Sequence, residues 1–139
     1  MTFFWNHLYF IPVIAFFASV AIKGIVLAQQ KKFNVKNMFG SGGMPSVHSS
    51  LVTSLTTAMG IKWGVSSDIF LVCLVFACII IYDALNVRFE AGQHAKALNT
   101  LAQDQHGDWE FNESIGHLPR EAFIGSCIGI LTAILLLSF

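Results

Sequence analysis

Apolar residues fall in three long runs separated by short polar clusters, and the lengths of those runs predict the elements. Leu8 to Ala28 is a run of 21 residues in which Lys23 is the sole charge. Ile69 to Tyr82 is apolar throughout and continues to Val87 with only Asp83 charged. Phe123 to Phe139 has no charge and is entered through Pro119, Arg120 and Glu121. A hydrocarbon core of about 30 Å takes about 20 helical residues at about 1.5 Å each, so each run predicts a spanning helix. Ser46 to Trp63 is different, with hydroxyls at Ser46, Ser49, Ser50, Thr53, Ser54, Thr56 and Thr57. Such side chains suit a helix enclosed by other helices, bonded to neighbours or to its own carbonyls.

The pattern therefore predicts an all-α integral membrane protein, one membrane domain over residues 1–139 with about four transmembrane helices. Their spans are about 8–28, 46–63, 69–87 and 119–139. Ala91, Ala95, Leu98 and Ala102 then recur at helical spacing among polar residues. They predict a short interfacial amphipathic helix over about 88–103, ended by the polar stretch from Asp104 to Asp108. The first run reads as a span and not as a removed signal, since it has no basic start and no small-residue cleavage site after it.

Composition narrows the function classes. Of 139 residues 55% are hydrophobic and 12% charged, against about 25% charged in ordinary soluble domains. Eight basic residues balance eight acidic ones, so nothing steers the chain toward nucleic acid. Cys73, Cys78 and Cys127 all lie inside spans and read as packing residues. Lys31, Lys32 and Lys36 dominate the first connection, which puts the first and third connections on the cytoplasmic side. Both termini would then lie on the other side of a bacterial inner membrane or an organelle membrane.

An antiparallel order of spans gathers the chemistry-bearing residues at one membrane face. The Gly40–Ser49 stretch enters the second span, Asp83 and Arg88 leave the third, and Gly116–Glu121 opens the fourth. Lys23 lies one turn from the end of the first. A glycine-rich turn before a helix, here Gly42 and Gly43, offers backbone N–H groups and a positive helix end to an anion. Pro45 suits the first helical turn. Ser46 either caps the helix or donates to a phosphate oxygen. His117 and Glu121 stand four apart and share a helix face. A carboxylate on one ring nitrogen would fix the tautomer and leave the other nitrogen as nucleophile or base. The same spacing also suits a plain helix start capped by Glu121, and His48 alone suits an interfacial structural role. Asp83, Asn86 and Glu90 form one polar stripe, with Arg88 across the helix from Glu90. Asp83 reads either as a functional carboxylate or as the partner of Lys23 or Arg88. No compact metal-ligand motif is present, so no metal and no cofactor is expected.

The block from Ser41 to Ser49, then Tyr82-Asp83-Ala84 with Val87-Arg88 and Ala91-Gly92, then Gly116 to Ala122, resembles the divergent branch of the type-2 phosphatidic acid phosphatase superfamily. The resemblance extends over about residues 18–136. It implies a metal-independent phosphatase acting through a phosphohistidine intermediate. Pro45-Ser46-Val47-His48 is similar to the superfamily's P-S-G-H motif, and His117 to Glu121 is similar to its H-x-x-x-D motif. On that resemblance His117 attacks phosphorus, Glu121 orients it and His48 protonates the leaving oxygen. Two departures stand out: the basic K-x-x-x-x-x-x-R-P motif is absent, and Phe111 occupies the place of the third-motif arginine. Arg88 and Lys23 are the available substitutes for phosphate binding, with Ser46, Gly42, Gly43 and the supporting Asp83 around them. The superfamily usually has six spans, so four implies a reduced core or a partner chain.

The expected function is hydrolysis of a phosphomonoester or pyrophosphate on a lipid or polyprenyl carrier at the membrane. The alternatives are a non-catalytic phospholipid- or phosphate-binding or transport protein, and an assembly subunit. Gly125 and Gly129 form a small-xxx-small pair that hints at self-association into a homo-oligomer.

Overall fold

The computed structural model describes residues 3–31, 42–104, 109–113 and 115–138. Lys32, Lys36, Gly40, Ser41 and the polar break at 105–108 lie outside the described residues. Six helices follow one another: α1 (Phe3–Asn6), α2 (Phe10–Gln29), α3 (Val47–Trp63), α4 (Asp68–Leu85), α5 (Val87–Asp104) and α6 (Pro119–Ser138). No strand occurs among the described residues. The protein is an all-α membrane protein.

Three stretches are long and apolar enough to cross a bilayer: Phe10–Gln29, Asp68–Ala102 and Pro119–Ser138. The second contains α4 and α5, divided at Asn86, whose φ of −114° and ψ of −71° interrupt the regular geometry. Those 35 residues would span about 50 Å as continuous helix, well beyond a core of about 30 Å. The composition divides them: α4 is the apolar part and α5 the polar continuation.

The hydroxyl-rich α3 is the internal helix, packed against α2, α4 and α6. Ser46 caps it, its Oγ accepting from the Ser49 N–H at 3.3 Å. Pro45 therefore stands just outside the helix and not in its first turn. The buried hydroxyls along it are satisfied as their burial demands. Thr53 donates to the Ser49 carbonyl (2.7 Å) and reaches that of Ser126 on α6 (3.2 Å). Ser50 donates to Ala15 on α2, and Thr56 to Val52 and to Cys73 on α4.

The most extensive interhelical packing is between α3 and α6, and two glycines permit it. A Cβ at Gly125 would overlap the Ser46 carbonyl, and one at Gly129 would overlap the Ser50 carbonyl and the Thr53 hydroxyl. The small-residue pair is thus spent within the chain, which corrects the expectation that it offers a face to a second copy. At the opposite end Trp5 Nε1 donates to the Leu137 carbonyl (3.3 Å), and Lys62 Nζ donates to the Trp5 carbonyl. Leu8, Ile11, Ala58, Ala133 and Leu137 fill the core beneath these contacts. The first and last helices therefore meet far from the polar face.

The face that α5 buries keeps two of the four expected positions. Gly92, Ala95 and Ala102 are buried, whereas Ala91 and Leu98 are exposed. Asn99, half-buried, stands next to Leu98. It grips the chain that runs back along α5, accepting from the Phe111 N–H (2.8 Å) and donating to the Phe111 carbonyl and to Glu113 Oε1 (2.9 Å each). Gly92 meets the Glu113 carbonyl so closely that a Cβ there would collide with it.

Gly129→Val is expected to destabilise the folded chain by about 1–3 kcal/mol or more, the cost of overpacking a close contact. Thermal unfolding of the detergent-purified protein measures it. Cys78→Ala, at an exposed position on α4, should unfold with the wild type.

Candidate functional site

Two backbone hydrogen bonds assemble the polar face. The Ser46 N–H donates to the Glu121 carbonyl (3.0 Å), tying the start of α3 to the first turn of α6. The His117 N–H donates to the Ala84 carbonyl (3.1 Å), tying the same turn to the end of α4. Gly116 lets this happen: a Cβ there would fall on the Phe89 backbone. Residues far apart in sequence are thus pinned by groups that every residue carries, and the side chains are arranged around them.

His117 is the centre of the arrangement. Its side chain is 2% exposed and that of Glu121 13%. Glu121 Oε2 lies 3.1 Å from His117 Nδ1 and also accepts the Leu118 N–H at 3.1 Å. With Pro119 opening the helix, Glu121 is its third residue and returns to the residue before it, as in a capping box. Helix capping and histidine orientation are therefore performed by one carboxylate oxygen. A proton on Nδ1 facing that oxygen leaves the lone pair on Nε2. Nε2 is buried and has no hydrogen-bond partner among the described residues; the hydroxyl of Ser19 is the other such atom. A buried, unpaired nitrogen is costly unless something else occupies the space it faces.

Burial pushes the His117 imidazole below its ordinary value of 6.5, with Lys23 and Arg88 acting in the same direction. The Glu121 carboxylate opposes them, through its hydrogen bond and its charge. The ring is neutral at neutral pH, the form a nucleophile or base requires.

The remaining candidates divide into two groups. Lys23, 2% exposed, is within electrostatic range of Glu121, and its stem passes beneath Gly43, whose φ is +90°. His48 lies within electrostatic range of Arg88, His117, Lys23 and Asp83, so these residues share one neighbourhood. Arg88 Nε bonds Asp83 Oδ2 at 2.5 Å, with both side chains about one-third exposed. Of the two roles open to Asp83, the structure shows the ion pair. It leaves the terminal nitrogens of the Arg88 fork for other partners. Ser46 is the other residue already engaged: it is fully buried and its Oγ takes Ser49 N–H and Oγ. Phe111 lies on the returning chain held by Asn99, with no cation in its place.

A cavity of about 370 Å³ opens beside Glu121, reaching Gly42, Gly43 and Gly116. Sequence spacing gave no sign of it, since Gln30, just past the end of α2, and Gln93 on α5, which also line it, are far apart in the chain. No group of three or more His, Cys, Asp or Glu side chains suited to a metal occurs among the described residues.

A family model described as the divergent PAP2 family matches residues 4–132. The chain is 32% identical to a protein of Bacillus subtilis (strain 168) named as the uncharacterized membrane protein YuiD, over 88% of each. No solved structure matches it.

Titration of the histidines by NMR should place His117 below 6.5, and Glu121→Gln should lower it further by removing the opposing carboxylate charge. Because the unfolded chain takes up that proton more readily than the folded one, stability should fall as pH drops below about 6.5.

Proposed function

The chain belongs to the divergent PAP2 family, and we propose that it is a membrane-embedded lipid-phosphate phosphatase with His117 as nucleophile. The observation that carries this reading is the His117–Glu121 pair: a buried imidazole held through Nδ1, with Nε2 buried and unpaired. In the proposed reaction Nε2 attacks phosphorus, and the bond to the lipid oxygen breaks as His48, in its protonated form, delivers a proton to that oxygen. The phosphoryl group is then on His117. Water, deprotonated by His48, attacks the phosphorus, releases orthophosphate and restores both rings. The Glu121 carboxylate holds the ring in position and stabilises the positive charge that develops on it. Phosphoryl transfer is carried chiefly by positive groups against the equatorial oxygens. Lys23 and the free end of the Arg88 fork are the groups for that role, and the head group enters from the membrane face.

One observation favours a second reading, a protein that binds or moves a phosphorylated lipid without cleaving it. Arg88 is already paired with Asp83, which reduces the charge available to a transition state. Binding of a lipid phosphate without turnover would decide for it.

Purified protein in detergent should release orthophosphate from one or more members of a panel containing phosphatidate, phosphatidylglycerophosphate and polyprenyl pyrophosphate. His117→Ala should abolish release, and activity surviving in that variant would remove His117 from the reaction. Arg88→Ala should lower turnover by about 10²–10³-fold, the usual cost of losing one transition-state donor. Unchanged turnover would exclude Arg88.

A further inference from the structure

Helix α3 is covered on three sides and open on the fourth. Ser50 donates to Ala15 on α2, and Ala58 packs with Ile11 of that helix. Thr53 reaches the Ser126 carbonyl on α6, and Thr56 that of Cys73 on α4. His48, Leu51, Leu55 and Met59 fall on the remaining side, within an arc of about 80° at about 100° per residue. His48 is exposed and the three apolar side chains are half-buried. Helices α2 and α4 flank this side and pack on α3, but have no substantial packing with each other. An apolar groove results, with α3 as its floor and α2 and α4 as its walls.

Both ends of the groove are defined. It opens at His48, which lies within electrostatic range of His117, Lys23 and Arg88. It closes at Met59, which packs with Phe4 and Trp5 against the core around Leu8 and Ile11. Just beyond, Lys62 holds the Trp5 carbonyl. Phe4 and Trp5 thus stop the groove about 16 Å from His48, at about 1.5 Å per residue. The floor is one side chain wide, since Val52 and Thr56 on one side of it and Ser54 and Ala58 on the other are buried. A floor of that width accommodates one hydrocarbon chain and not two abreast. Bulk lipid has a different surface to cover: Val72, Phe76 and Ile79 on α4 are exposed, with neither walls nor an end.

We propose that this groove receives the chain of a single-chain lipid phosphate, alkyl or isoprenyl, whose phosphate lies at His117. The position of the phosphate rests on the function proposed above; the course and closed end of the groove rest on the packing of α3 alone. In that reaction His48 delivers a proton to the lipid oxygen. The chain attached to that oxygen continues along the next three turns of the same helix, over Leu51, Leu55 and Met59. A chain that reaches Met59 fills the groove, and a longer one has to turn out into the bilayer.

Photolabelling of the full chain in detergent tests the groove without turnover. The probe is dodecylphosphonate, which cannot be hydrolysed, carrying a diazirine at the chain end, and peptide mass spectrometry locates the adduct. Label is expected at Leu55 and Met59 and is lost in excess unlabelled dodecyl phosphate. A diazirine placed beside the phosphonate should label Leu51 instead. Leu55→Trp fills the floor midway and should abolish the adduct at Met59. Circular dichroism checks that this variant remains helical, and the wild-type map stands without it. Label spread over Val72, Phe76 and Ile79, label that dodecyl phosphate does not displace, or no adduct on α3 overturns the proposal. So does an adduct at Met59 that survives in Leu55→Trp, or displacement by dioleoyl phosphatidate as effective as that by dodecyl phosphate. The adducts form whether or not orthophosphate is released, so the phosphatase reading and the groove can fail separately.

Discussion

The close approach of α3 and α6 is the constraint on which the rest of the molecule depends. Gly125 and Gly129 allow α6 to lie against the carbonyls of Ser46 and Ser50. That distance brings the Glu121 carbonyl within reach of the Ser46 N–H. Once this bond forms, the first turn of α6 is fixed, and with it the carboxylate that holds His117. Packing at the level of single atoms therefore determines where the chemistry is placed. A side chain at either glycine would part the helices and displace the histidine, although neither glycine belongs to the site.

The polar face also shows how a small apolar protein accommodates ionisable groups. Asp83 is matched by Arg88, Glu121 receives a backbone N–H and a ring nitrogen, and Lys23 is within electrostatic range of Glu121. Buried charge without such neighbours would be prohibitive at the edge of a membrane. Among the described residues, the buried side-chain atoms left without a hydrogen bond are uncharged ones, His117 Nε2 and the Ser19 hydroxyl.

Much of this was legible in the sequence where a local rule governed it. Run length identified the spanning helices, and the hydroxyl density of residues 46–63 identified the enclosed one. The spacing of His117 and Glu121 gave their contact, although His117 precedes the helix and the capping carboxylate reaches back to it. Departures arise where distant segments meet. Of the two partners that the sequence offered Asp83, the break at Asn86 brings Arg88 to it, a choice that angular arithmetic on a straight helix does not make. On α5, Ala95 and Ala102 are buried as their spacing predicts, but Ala91 and Leu98 are not, because the returning chain packs on Gly92 and Asn99 and the apolar spacing carries no record of that chain. The glycine pair of α6 looks the same in sequence whether its partner is α3 or another molecule. The cavity depends on Gln30 and Gln93, whose proximity is set by tertiary packing alone.

The enclosed position of α3 has a consequence for how the protein is made. Between Val47 and Trp63 the helix carries six hydroxyl residues, and it gains less from lipid than its neighbours do. Its place in the bilayer is secured by the helices around it. Yet α6, the neighbour that packs most extensively against it, is synthesised after the other described helices. Until α6 emerges, the face of α3 that receives Gly125 and Gly129 lacks that partner. Packing around α3 is therefore completed only by α6, the same helix that carries the Glu121 carboxylate into place beside His117.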